Sequence, residues 1–155
     1  MSAPAEGPIE RLAALGLSLP PVAAPVAAYV PAVRTGDLVF TSGQLPMVGG
    51  ALARTGKLGD SVTPEQGKEL ARTCALNALA AIDALVGLAA VKQVVKVVGF
   101  VASADGFTGQ PGVINGASEL IGAVFGEAGQ HARSAVGVVE LPLGAPVEVE
   151  LVVAV

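Results

Sequence analysis

The chain has one histidine, one cysteine, one tyrosine and no tryptophan in 155 residues, and only 14% of it is charged. A lone Cys74 closes no disulfide within the chain, which fits a reducing compartment, and one histidine with one cysteine is too few for a zinc-type ligand set. No metal is expected, although composition alone leaves a carboxylate-only set open. Lys and Arg are nowhere clustered and the formal net charge is −4, so the concentrated positive charge that binds nucleic acid is missing. Aromatics at 3% offer few platforms for stacking single-stranded bases. Neither G-x-G-x-x-G nor G-x-x-x-x-G-K occurs, which removes the usual nucleotide loops. Near the N-terminus, Glu6 and Glu10 stand where a secretory leader has a basic start and an unbroken apolar run. These absences predict a soluble cytoplasmic protein that needs no cofactor and enters no membrane.

What is abundant is apolar surface. At 52% hydrophobic, a chain of this size carries more than a monomer usually hides, so an oligomer is expected. The length suits one domain over residues 1–155, with 1–25 as an N-terminal extension. Within that extension Ile9, Leu12 and Leu15 predict a short helix from Pro8, ended by Gly16. Pro20 to Pro31 reads as extended chain until Tyr29. Arg34-Thr35-Gly36-Asp37 is a turn before the strand Leu38 to Ser42, and a short strand is expected near Ala51 to Arg54. Thr63-Pro64-Glu65-Gln66 is a capping box, starting a helix to Val86 that Gly87 ends and whose inner face carries Leu70, Cys74, Asn77, Ala78, Ala81 and Leu85. Val91 to Ser103 contains a strand, Val97 to Val101, expected to be buried on both faces, and Val113 to Phe125 a second helix. The order ββ(β)αβαββ implies an α+β fold, one mixed sheet with two helices on a single face, and leaves the other face for association.

The last strands concentrate the charge. His131 to Pro142 and Val147 to Val155 are β-branched runs on either side of Leu143-Gly144-Ala145-Pro146, and read as a hairpin. Alternation puts Glu148 and Glu150 on one face, and pairing Glu140 with Val147 sets Gly137 opposite Glu150 on the face that carries Arg133. A cation and two acids would then project from one side. Residues alone leave a solvated outer face open as well, since strand charges commonly face water. Asn115, near a helix start, reads first as a cap. Ser42 and Ser134 have no evident partner in His131, so a serine hydrolase is not expected.

Tyr29 with Ala32-Val33, Ser42-Gly43-Gln44-Leu45-Pro46, then Arg133-Ser134-Ala135-Val136 with Leu141-Pro142 and Glu148-Val149-Glu150 form a combination more specific than its parts. From about Val26 to Val155 the chain resembles the Rid family of reactive intermediate deaminases, also called the YjgF or L-PSP endoribonuclease-like family, and in particular a longer bacterial subgroup. The resemblance implies a chorismate-mutase-like fold, a homotrimer with clefts between subunits, and hydrolysis of 2-imino acids such as 2-iminobutanoate and 2-iminopropanoate to 2-keto acids and ammonia. It implies Arg133 as the grip on the substrate carboxylate, Glu150 as the acid beside the attacking water, and Tyr29, Ser42, Gly43 and Asn115 as cleft residues. Ala135 stands where characterised members often have cysteine, a change that bears on pocket shape. The family's diversity keeps two other readings in play: a regulatory trimer that binds small carboxylates without turnover, and an endoribonuclease, which the −4 charge disfavours.

Overall fold

The computed structural model describes residues 6–25 and 27–155; the first five residues of the extension, and Val26, where the resemblance begins, lie outside the described residues. Helix α1, Pro8–Ala14, starts on a proline and stops where Gly16 takes a positive φ of 73°. It buries Leu12. The proline-rich stretch that follows carries no strand among the described residues, and β1 begins at Ala32, three residues past Tyr29. Strands β1, Ala32–Thr35, and β2, Leu38–Thr41, pair across a two-residue Gly36-Asp37 turn. A second small hairpin joins β3, Met47–Val48, to β4, Ala51–Leu52.

Helix α2, Pro64–Val86, has the expected capping box: the Gln66 N–H donates to Thr63 Oγ1 at 3.2 Å, and the Thr63 N–H donates to Gln66 Oε1 at 3.0 Å. Its buried stripe includes Leu70, Cys74, Asn77, Ala78 and Ala81, but Leu85 in the last turn is exposed and Ile82 closes that end instead. Asn77 is a polar residue in this core because its Nδ2 donates to the carbonyls of Leu45 and Met47, both at 3.1 Å, pinning the segment after β2. Strand β5 is Gln93–Ala102 and helix α3 is Gln110–Phe125, followed by β6, Ala132–Val138, and β7, Val147–Ala154. A Cβ on Gly116 would lie 1.9 Å from the Lys68 carbonyl, so this glycine lets α2 and α3 cross backbone to backbone.

The sheet order is β1-β2-β7-β5-β6. The expected hairpin of β6 with β7 does not form. β5 lies between them, parallel to β6 and antiparallel to β7. The reason is connectivity: β5, α3 and β6 make a crossover unit whose strands lie side by side, and the long apolar β5 claims the centre. Residues 139–146 then carry the chain across two strand spacings, about 10 Å.

Alternation divides the sheet. Val147, Val149, Leu151 and Val153 face the helices and are buried to 1% exposure or less, with Val39, Val97 and Val101 beside them. Phe40, Val98, Phe100, Val136, Glu148 and Glu150 lie on the other face. Val98 and Phe100, expected to be buried on both sides, are half-buried because no helix covers that second face among the described residues. Val33, Phe40 and Val136 on it are exposed.

Candidate functional site

Arg133 enters from β6, the edge strand, opposite Val97. Val97 also pairs with Leu151, which fixes Arg133 on the helix face. There its Nη1 donates to Asn115 Oδ1 at 2.8 Å and to Ser118 Oγ at 3.2 Å, and its Nη2 donates to the Pro111 carbonyl at 3.2 Å. Asn115 is therefore no cap. α3 starts at Gln110, a turn earlier than expected, and Asn115 and Ser118 share one helical face at i, i+3. Nε has no hydrogen-bond partner among the described residues, and Nη2 has a second hydrogen beyond the one it gives to Pro111. Nε and Nη2 lie on one side of a guanidinium, the side that can meet the two oxygens of a carboxylate.

Ser118 Oγ also lies 2.9 Å from His131 Nε2, and His131 Nδ1 lies 2.6 Å from the Gly129 carbonyl. Neither Ser118 nor His131 was singled out as a site residue in the sequence. The usable signal was the Asn115/Ser118 spacing together with a histidine two residues before Arg133.

A second group of residues gathers elsewhere. Tyr29, Gly43, Gln44, Leu45, Pro142 and Glu148 line a small open cleft of ≈ 60 Å³ together with Ala23, Ala24 and Pro25. Ser42 builds this wall without lining it: its Oγ donates to the Val30 carbonyl at 2.6 Å and its N–H to that of Pro31 at 2.8 Å, holding the Tyr29 segment against β2. Gly43 makes room for the acid, since a Cβ there would lie 1.8 Å from Glu148 Oε1. Burial pushes the Glu148 carboxyl above its ordinary value of 4.5, and the charge of Glu150 pushes it the same way. Glu150, paired with Val98, stands on the same face but is not among the cleft residues. Ala135 pairs with Gly99 on the helix face and packs against the core.

One chain thus keeps Arg133 and the two acids on opposite faces of its sheet, contrary to the single charged face expected from a hairpin. The intervening β5 is the cause. Cys74 is fully buried, and desolvation followed by the Glu148 charge raises its thiol well above 9.0, so it is no nucleophile. Among the described residues no group of three His, Cys, Asp or Glu side chains could hold a metal ion, and no helix is long and apolar enough to cross a membrane.

A five-stranded mixed sheet with helices on one face defines an α+β protein of the chorismate-mutase-like kind. The chain belongs to the family described as "YjgF/chorismate_mutase-like, putative endoribonuclease", whose model matches residues 9–154. It is 49% identical to Protein TCP17 of Trypanosoma cruzi, over 99% of this chain and 98% of that one. Its fold is similar to that of Atu1372 from Agrobacterium tumefaciens, a protein of unknown function, with a TM-score of 0.88 and 44% identity over 96% and 92% of the two chains. It is also similar to RidA from the Antarctic bacterium Psychrobacter sp. PAMC 21119, with a TM-score of 0.61 and 28% identity over 86% and 94%.

Proposed function

We propose that this chain is a deaminase that hydrolyses 2-imino acids, or their enamine tautomers, to 2-keto acids and ammonia, working as a homotrimer with its clefts between subunits. The observation that carries the reading is the division of the site. The open edge of Arg133 and the Glu148 cleft lie on opposite faces of one sheet, so a ligand can meet both only where one copy's β6 edge approaches another copy's bare face. The exposed Val33, Phe40 and Val136 give that face its reason to associate.

In this proposal Arg133 holds the substrate carboxylate through its paired N–H groups, turning the imine carbon toward the cleft of the neighbouring copy. A protonated imine is already electrophilic. The remaining work is to place a water, take its proton and return one to the leaving amine, which suits a carboxyl that exchanges protons more readily than an ordinary glutamate. Glu148 takes that role in place of Glu150, because it reaches the cleft beside Gly43 and its carboxyl is the raised one. Glu150 acts through its charge. Tyr29 and the Gly43 backbone line the water's side of the cleft, and no metal or cofactor enters the scheme.

The test adds the purified protein to a dehydratase that generates 2-iminobutanoate and follows 2-oxobutanoate and ammonia. Acceleration over the spontaneous rate, lost in Arg133→Ala and Glu148→Gln, is expected; an unchanged rate sinks the deaminase reading. Saturable binding of 2-oxobutanoate without turnover selects the regulatory trimer instead. RNA cleavage by the purified protein, lost in Arg133→Ala, selects the endoribonuclease.

A further inference from the structure

We propose that Ser118 and His131 form a one-directional hydrogen-bond relay that positions Arg133 for a carboxylate ligand; the ligand class rests on the reading above, while the relay itself does not. The direction follows from what each atom can do. The Gly129 carbonyl only accepts, so His131 Nδ1, 2.6 Å away, carries the ring hydrogen. In the neutral ring Nε2 is then a bare acceptor, and the Ser118 hydroxyl at 2.9 Å donates to it. With its hydrogen so committed, Ser118 Oγ turns its lone pairs to the Arg133 Nη1 at 3.2 Å. Every link has one sense, from guanidinium to hydroxyl to imidazole to carbonyl.

The histidine is what makes the serine reliable. A serine inside a helix can bond back to the carbonyl one turn earlier, and a freely rotating hydroxyl can also aim its hydrogen at the guanidinium. Either state withdraws an acceptor from Arg133. With the relay in place, Ser118 and Asn115 both accept from Nη1 and the Pro111 carbonyl accepts from Nη2. The Nε/Nη2 edge is thereby presented in a fixed orientation. A serine beside a histidine also resembles a nucleophile with its base, but here the hydroxyl oxygen is engaged by the arginine.

The experiment uses the full chain in three variants, Ser118→Ala, His131→Phe and their double, with His131→Gln as the rescue because its amide oxygen can stand where Nε2 accepts. Nitrogen-15 NMR should report His131 with its hydrogen on Nδ1, and Arg133 guanidinium rotation should be slow in the wild type, faster in Ser118→Ala and His131→Phe, and slow again in His131→Gln. The Kd for 2-oxobutanoate and the KM for the imino acid should rise about three- to tenfold, the scale of one hydrogen bond, with kcat nearly unchanged. The double variant should match Ser118→Ala, since both act through one link. Additive effects, an Nε2–H tautomer, or covalent capture of Ser118 by a serine-directed phosphonate would overturn the relay. If the wild type neither binds 2-oxobutanoate nor turns over imine, the functional reading fails, and the Arg133 rotation still decides the relay. If it does bind and both single variants behave as wild type, the relay fails alone.

Discussion

Arg133 and Glu150 flank the same central strand yet face opposite ways: Val97 stands beside Arg133 and Leu151, while its neighbour Val98 stands beside Ser134 and Glu150. A complete site in the proposed reaction therefore takes its arginine and its acids from different copies. Mixing the inactive Arg133→Ala and Glu148→Gln proteins and letting subunits exchange should restore activity. Random assembly puts one intact arginine against one intact acid in about a quarter of the sites. Recovery toward that fraction in the coupled assay is expected, and a mixture as inactive as its parents would place the whole site within one copy.

Arg133→Lys keeps the charge but offers one ammonium in place of a fork. Losing a bidentate charged contact worth about 1.5–3 kcal/mol should lower kcat/KM by on the order of tenfold to several hundredfold. The hydrogen bonds to Asn115, Ser118 and Pro111 are lost as well, so a small fall in Tm should accompany it. Full activity in the lysine variant would leave Arg133 with a purely structural role.

The two acids should separate in a pH profile. Glu148→Gln should slow the chemical step by about a hundredfold or more while 2-oxobutanoate still binds. Glu150→Gln removes the second cause of the raised Glu148 carboxyl and should shift the acid limb of the rate profile to lower pH with a smaller loss of rate. An unmoved limb would mean the rate does not depend on Glu148.

Stability should follow the same carboxyl. Its folded value lies above the unfolded 4.5, so through that interval the native state holds more protons and stability falls as pH rises. Replacing Glu148 with Gln should raise Tm relative to the wild type at neutral pH, with the gap closing near about pH 4, where both native and unfolded carboxyls are protonated. Calorimetry at the two pH values reads this directly.

Association should depend on the bare face. Phe40→Asp puts a charge where an exposed aromatic ring stands on the uncovered side of the sheet and should yield smaller species by light scattering, with imine hydrolysis lost alongside. A wild-type monomer at micromolar concentration would remove the trimer from the proposal.

The local grammar of the chain was readable because its signals act within a few residues. Thr63 and Gln66 cap α2 as their spacing requires, and Gly36-Asp37 turns β1 into β2. The motif singles out Arg133 as a candidate site residue. The resemblance also names Asn115, but the residues alone read it as a cap and do not single out Ser118, because both come to Arg133 only through the α3 crossover, and α3 itself begins a turn before its periodic residues do. The pairing of β6 with β7 misled for a related reason. Adjacency in sequence favours a hairpin, whereas the parallel unit β5-α3-β6 fills the position that hairpin needs. The preference for Glu148 over Glu150 in the proposed scheme likewise turns on Gly43, over a hundred residues away, whose missing Cβ makes room for the Glu148 carboxylate.

The central place of β7 has a consequence for biosynthesis. Of the described strands it leaves the ribosome after all the others, yet it alone joins the β1-β2 pair to the β5-β6 pair. A nascent chain that has emerged through Pro146 holds two sheet fragments whose edges at β2 and β5 are unpaired, each able to recruit a foreign strand. Cooperative folding must wait for these eight residues, and a stalled chain lacking them should be a substrate for chaperones and proteases rather than a smaller folded protein.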